Sequence, residues 1–283
     1  MNSQEHSLPY FIGIGSQRCG TTWLANCMAE HPQIHMPEKE IRYFDCYFDR
    51  GSDWYTEKFS ERGPRMVTGE YTPDYLPNHE AMSRLAIQAK NAKLIISLRD
   101  PIERLISAFR LYSSRNKTAS INIEEALEKD PYLIDHGLYG AHIRHALTLF
   151  DRNQIHFILM DDIKQNPQST LQCLFQWLEV DPQFKPDSTD RKTNVSLSPK
   201  LQTALDKLPF LRSLASSRAA EPLRSLVMNL HNKQPTKSQR TENKLVSSQA
   251  MAKLRATFRE DLLEASELIK RDLSHWLTLK QEE

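Results

Sequence analysis

One stretch limits what this chain can fold into more than any other: YFIGIGSQRCGTTWLANCMAE, residues 10–30. Tyr10 to Ile14 is a short apolar run of β type. A loop holding Gly15 and Gly20 follows, and Thr21 to Glu30 reads as a helix that His31-Pro32 stops. Strand, glycine loop and helix in that order aim backbone N–H groups and a helix N-terminus at an anion. A Walker A loop reads GxxxxGK[ST], with a lysine that reaches the β- and γ-phosphates. Here Gly15 and Gly20 keep the spacing, but Thr21 takes the lysine position and Thr22 follows. The expected ligand therefore has no γ-phosphate, and the cation of the loop is Arg18. A plain strand-to-helix turn with no ligand is the alternative for this stretch alone.

The rest of the chain extends the pattern. Met66 to Glu70, Lys93 to Leu98 and Ile155 to Met160 read as strands, the second a continuous apolar run suited to a sheet covered on both faces. Asp100-Pro101-Ile102-Glu103 supplies an N-cap, a proline at N1 and an acid at N3, so a helix is expected from Pro101 to about Arg115. His136 to Phe150 and Pro167 to about Leu178 read as further helices, the latter capped by Asn166. Alternating strands and helices imply an α/β fold, a single domain with a central parallel β-sheet flanked by helices. From Pro182 to about Asn243 the pattern degrades, and Ser247 to Leu279 recovers helical spacing. We expect residues 182–243 to be a variable lid on the acceptor side and 247–279 a C-terminal helix.

Composition removes several function classes. The 283 residues carry 37 Lys plus Arg against 36 Asp plus Glu, a formal net charge of +1 that argues against a nucleic-acid binder. The balance is uneven: residues 191–283 hold 17 basic and 10 acidic side chains, leaving 20 against 26 before them. No apolar run approaches the roughly 18 residues of a membrane span, and the start MNSQEHSLPY lacks the features of a signal peptide. Cys19, Cys27, Cys46 and Cys173 show neither CxxC spacing nor a disulfide framework, so a reduced, cytoplasmic chain is expected. His142 and His145 share one helix face with no third ligand nearby and read as solvated surface; no metal is expected.

A second segment, Ser97-Leu-Arg99-Asp-Pro-Ile-Glu-Arg104-Leu-Ile-Ser107, places Arg99 at the C-terminal end of a buried strand, where open α/β sheets bind ligands. Ser107 lies in the second turn of the helix and could reach the same anion, making a clamp; an Arg99–Asp100 pair is the alternative. Together the two segments resemble the sulfotransferase superfamily that uses 3′-phosphoadenosine-5′-phosphosulfate (PAPS), whose members carry a GxQ[KR]xGTT loop and an RDPxxRxxS segment. Gly69-Glu-Tyr-Thr-Pro-Asp-Tyr-Leu76, Gly137-Leu-Tyr-Gly140 and Asp272-Leu-Ser-His-Trp276 extend the resemblance over most of the chain.

The resemblance implies that Ser16, Gln17, Arg18, Cys19, Gly20, Thr21, Thr22 and Trp23 surround the 5′-phosphosulfate and that Arg99 and Ser107 hold the 3′-phosphate. Tyr139 would stand near the nucleotide, and Lys192, Thr193 and Asn194 in a basic loop that closes over it. Arg18 stands where many members have a catalytic lysine. Glu40, in Pro37-Glu-Lys-Glu-Ile-Arg-Tyr-Phe44, matches the acid of a KExxFF segment in heparan-type members and would take the acceptor proton, with His35 or His79 as fallback bases. Glu70, Tyr71 and Asp74 would face the acceptor; heparan-type members have a lysine where Tyr71 stands. The implied activity is sulfonate transfer from PAPS, without metal, to a hydroxyl or amine of a small molecule such as a natural product. A carbohydrate or glycolipid acceptor, a nucleotide kinase and a non-catalytic PAP-binding protein are the alternatives. The basic stretch 208–233 reads as a lid, a membrane-surface contact or plain surface.

Overall fold

In the computed structural model, residues 8–60, 63, 66–116, 122–190 and 246–278 are described. Five short strands, β1 (Phe11–Gly15), β2 (Ile34–His35), β3 (Val67–Tyr71), β4 (Lys93–Leu98) and β5 (Ile155–Leu159), form one sheet in the order β2-β3-β1-β4-β5. Every pairing is parallel. From β1 the chain goes to the edge strand β2, returns through β3 beside β1, and then crosses to the other side, so β1 and β4 flank the point where strand order reverses. Open α/β sheets bind ligands at the carboxyl ends of strands at such a point.

Both faces of the sheet are covered, which is why the strands are apolar throughout rather than alternating. Ile12, Ile14, Leu94 and Ile96 pack into one core with residues of α3 (His79–Gln88), α4 (Pro101–Asn116), α7 (Tyr139–Leu149) and α10 (Ser248–Ile269). Phe11, Ile95 and Ile158 point the other way, into a core shared with α1 (Thr21–Ala29) and α9 (Pro167–Trp177). Two glycines, Gly13 against Tyr71 and Gly69 against Phe11, make room in the sheet. A Cβ on Gly13 would lie 2.3 Å from Tyr71 Cγ, so the Tyr71 ring lies directly on that backbone.

Helix starts follow their local chemistry. Asp100 accepts from Ile102 N at 2.9 Å and Glu103 N at 3.3 Å, Asn166 accepts from Ser169 N at 3.0 Å, and Ser247 accepts from Ala250 N at 3.1 Å. Asp261 of α10 caps α7, accepting from Gly140 N and Ala141 N at 2.9 Å each, and so fixes where Tyr139 enters the core.

The main strands and helices lie within a few residues of their expected bounds, with three differences. The helix expected from His136 begins at Tyr139, because a separate turn, α6 (Tyr132–Asp135), precedes it. The C-terminal helix ends at Ile269, with Lys270 left-handed at φ 57; Leu273 and Trp276 are buried beyond it in a short 3₁₀ turn. The elements β2, α2 (Gly51–Glu57), α3, α5 (Ile123–Lys129) and α8 (Met160–Gln165) carry no periodic signal long enough to announce them. The expected lid over 182–243 lies almost wholly outside the described residues, apart from the Asp187–Asp190 turn. Among the described residues no helix is long and apolar enough to cross a membrane.

Candidate active site

The loop after β1 and the end of β4 meet. Ser16 N donates to Ser97 O at 2.8 Å, which binds the first loop residue to the neighbouring strand. Arg18, with φ 70, turns its guanidinium across to α4, and its Nε donates to Ser107 Oγ at 3.0 Å. The two segments singled out in the sequence therefore converge on one spot, joined by the residues expected to touch the 5′ and 3′ ends of one nucleotide.

An anion fits this spot. Gly20, the N-cap of α1, is left-handed at φ 82 and offers no side chain to cap the helix, so the first N–H groups of α1 are left for a ligand. Ser16 Oγ is buried without a hydrogen-bond partner, an orphan that a phosphate or sulfonate oxygen would satisfy. Arg99 is half-buried at the strand end. Its Nε and one terminal nitrogen lie 3.1 Å from Glu103 Oε2, which Lys164 Nζ also approaches at 3.3 Å. Arg99 thus pairs with Glu103 rather than with Asp100, whose carboxylate caps the helix.

Several residues expected at the ligand support it from behind instead. Cys19 is fully buried, its Sγ 3.5 Å from Tyr139 Oη, and burial pushes its thiol pKa up. Tyr139, equally buried, donates to the Arg99 carbonyl at 2.9 Å and sets the strand end. Trp23 donates from Nε1 to Ser188 O at 3.1 Å and Thr189 O at 3.3 Å, holding the 187–190 turn against α1. Thr21 is buried and Thr22 half-buried at the helix start. Lys192, Thr193 and Asn194 lie outside the described residues, as does 208–233.

Two of the three expected acceptor residues are corrected. Glu70 is 0% exposed, with all its hydrogen bonds internal: Tyr55 Oη and Tyr75 Oη donate to Oε1 at 2.8 and 3.1 Å, and Thr72 Oγ1 and Ile41 N donate to Oε2 at 2.6 and 3.3 Å. Burial raises its pKa, and the four donors oppose that rise. Tyr71 is also buried, donating to Gly15 O at 3.0 Å and lying 3.1 Å from Ser97 Oγ. An acidic residue between strand and loop carries no sequence sign of whether it faces in or out. Here the parallel register places Glu70 opposite Ile12, beneath the site.

Asp74 does reach the cleft. Gln17 Nε2 donates to its Oδ1 at 3.3 Å, and Arg42 lies 3.4 Å from Oδ2. Desolvation raises its pKa. Glu40, left-handed at φ 65, is held by its backbone N–H on Tyr71 O at 3.1 Å, and its exposed carboxylate pairs with Lys39. It is close enough to Asp74 to help raise that residue's pKa. His79 stacks on His145 with centroids 4.0 Å apart, while His35 ends β2 with Nε2 unpartnered. His142 is not solvated surface as expected: it is 5% exposed, with Nε2 2.9 Å from Asp135 O. The described residues hold no cluster of metal ligands.

Beside the loop lies a cleft of about 1000 Å³ whose walls include Gln17, Arg42, Asp74, Arg104, Asp135 and His142. Sequence reasoning singled out Gln17, Asp74 and His79 of this wall, and Arg104 stands within the second motif; Arg42, Asp130, Tyr132 and Asp135 were missed.

A sulfotransferase-domain family profile matches residues 9–267. This chain belongs to that family. It is similar over 157 residues, at 36% identity, to the membrane-associated sulfotransferase kil1 of Dictyostelium discoideum, covering 52% of this chain and 33% of that one. It is 28% identical over 182 residues to human heparan sulfate glucosamine 3-O-sulfotransferase 3B1, covering 60% and 45%. The chain thus spans less than half the length of these relatives. A sulfotransferase from Alicyclobacillus acidocaldarius shares the fold with a TM-score of 0.70 at 22% identity, covering 96% of this chain and all of that one.

Proposed function

We propose that this enzyme transfers a sulfonate from PAPS to a hydroxyl or amine of a small-molecule acceptor. One observation carries the reading: Arg18 of the loop donates to Ser107 of α4, so the two phosphate-binding segments form one seat. Bound PAPS supplies an activated sulfonate on a phosphate leaving group. Ser16, Gln17, Gly20, Thr21 and Thr22 would surround the 5′ end through backbone N–H groups and hydroxyls, while Arg99 and Ser107 take the 3′-phosphate. Cys19, Tyr139 and Trp23 hold these groups in place from behind. Lys192, Thr193 and Asn194 are proposed to close over the nucleotide.

Charge is managed by this chain's residues. Arg18 offsets the negative charge that grows on the leaving oxygen, where a preorganised donor has its largest effect. A guanidinium does not surrender a proton readily, so Arg18 acts as a charge and not as an acid. Glu40, exposed beside the cleft and backed by Asp74, is proposed to accept the proton lost by the acceptor.

A carbohydrate acceptor is the second reading, supported by relatives named as acting on heparan sulfate. The four described cysteines are all free thiols, which supports the proposal of a reducing, cytoplasmic setting. Calorimetry tests the donor: 3′-phosphoadenosine-5′-phosphate (PAP) is expected to bind without Mg²⁺ and to raise the melting temperature. ATP, which lacks a 3′-phosphate for Arg99 and Ser107, is expected to bind much more weakly. Equal or tighter ATP binding that requires Mg²⁺ would overturn the reading.

A further inference from the structure

The cleft beside the loop carries the opposite sign to the donor seat. Five carboxylates line it, Asp45, Asp74, Glu80, Asp130 and Asp135, against two lining guanidiniums, Arg42 and Arg104, with Arg84 pairing Glu80 from outside the cleft. Both guanidiniums are engaged. Arg42 donates to Asp45 Oδ2 at 2.7 and 3.1 Å and reaches Asp74, and Arg104 donates to the Leu133 carbonyl. His136 adds no positive charge near neutral pH, since burial lowers its pKa to about 4. Among the described residues the cleft is therefore net negative.

Two of these carboxylates have no cationic side chain of their own. Asp130 Oδ1 accepts the Tyr132 N–H, at 3.2 Å, and Asp135 lies 3.7 Å from His142 Nε2, with Arg104 beyond ion-pair distance but near enough to feel its charge. Among the described residues no Lys or Arg lies within ion-pair distance of either. The ring of Tyr132, next to Asp130, is 69% exposed on the same wall, a surface suited to an ammonium or the apolar face of a sugar. Polar groups buried in that wall also wait for a partner: Arg104 Nε and His142 Nδ1 have none, although Arg104 is 1% and His142 5% exposed. Groups buried this deeply are ordinarily hydrogen-bonded, so an occupant with hydroxyl oxygens would complete the wall.

Resting on the sulfotransferase reading, we infer that the acceptor is a hydroxylated compound carrying a protonated amine. Asp130, Asp135 and Tyr132 seat the ammonium, and the reacting group lies toward Gln17 and Asp74. A sulfated polysaccharide would bring further negative charge against Asp130 and Asp135, which no Lys or Arg offsets at ion-pair distance, and is disfavoured in this cleft by repulsion. An amino sugar or amino alcohol meets both requirements.

The test uses three disaccharides on one skeleton: β-1,4-linked glucosamine with free amines, its N-acetyl form and its N-sulfo form. Each is titrated calorimetrically into PAP-loaded enzyme at a pH where the amines are protonated. The free amine is expected to bind about tenfold more tightly than the N-acetyl form, the size of one charge-assisted hydrogen bond, and the N-sulfo form most weakly. Substituting Asp130→Asn and Asp135→Asn together is expected to close the gap to about twofold, with PAP affinity unchanged, because asparagine keeps the oxygen that accepts the Tyr132 N–H. No binding by the free amine, tighter binding by either other form, or a gap that survives the double substitution would overturn the inference. PAP binding keeps the two readings apart. Wild-type enzyme that binds no PAP loses the sulfotransferase reading, whereas PAP binding with the wrong order of disaccharides loses only the amine.

Discussion

The donor seat and the acceptor cleft adjoin each other but are made in different ways. The donor seat is contiguous: a loop, a helix N-terminus, a strand end and the first turns of α4, locked together by Ser16 N on Ser97 O and Arg18 on Ser107. The anion contacts proposed for it come largely from the backbone, so they depend on geometry more than on side-chain identity. The acceptor cleft is dispersed, drawing walls from residues between Gln17 and His142 and relying on side-chain charge. A chain built this way can keep its donor while changing its acceptor by a few surface substitutions.

The sharpest way to separate the two regions is Glu40→Gln. General-base catalysis contributes about 10²–10⁴-fold, so turnover on an aliphatic alcohol is expected to fall within that range while PAP affinity measured by calorimetry holds. A parallel loss of PAP binding would erase the boundary between the regions. More than about half of wild-type turnover would remove Glu40 as base and turn attention to His35 and His79.

Burial in the cleft wall has a consequence in stability. His136 has its pKa lowered from 6.5 to about 4 by burial, with Arg104 and His142 adding to the effect. Between those two values the unfolded chain binds the proton and the folded chain does not. The contribution is whole above pH 6.5 and is lost as pH falls toward 4. Urea denaturation is expected to show wild type losing about 2–3 kcal/mol more than His136→Asn between pH 7 and 4. Equal losses would mean that His136 is charged in the cleft.

On the donor side, Arg99→Ala removes a charge-assisted contact and is expected to weaken PAP roughly tenfold or more, with the fold intact by circular dichroism. Unchanged affinity would place the 3′-phosphate elsewhere. The smallest expected effect has the opposite sign. Glu103 holds Arg99 and would compete with the 3′-phosphate for it, while Lys164 remains to neutralise Glu103 once Arg99 has left. Glu103→Gln is expected to tighten PAP about twofold to fivefold, the scale of an exposed ion pair. Weaker binding would show that Glu103 orients Arg99 instead of competing for it.

Legibility in the sequence followed the same division. The loop, Arg99, Ser107 and the helix start at Asp100 could be read because each is fixed by neighbours along the chain. The strands of β1 and β4 could be read because burial on both faces leaves an unbroken apolar run. Glu70 and Tyr71 could not be placed, since only the register of β3 against β1 decides that they face inward. His142 was misread for a similar reason: its helix face is covered by contacts from Asp135, a partner supplied by a turn with no signal of its own. Asp130, Tyr132 and Asp135 gave no motif at all, being drawn together by α6.

Tyr71 finally sets a length. Its ring fills the space that Gly13 leaves, and its hydroxyl touches Gly15 O just before the loop and Ser97 Oγ two residues before Arg99. The ring is rigid, so the interval between the loop and the strand end is fixed by a solid spacer instead of a hinge. On the proposed donor reading, the seat would thereby measure its nucleotide as well as attract it. A bisphosphate with its two groups at another separation, such as a 2′,5′ isomer, would satisfy one seat and miss the other, however strong its charge.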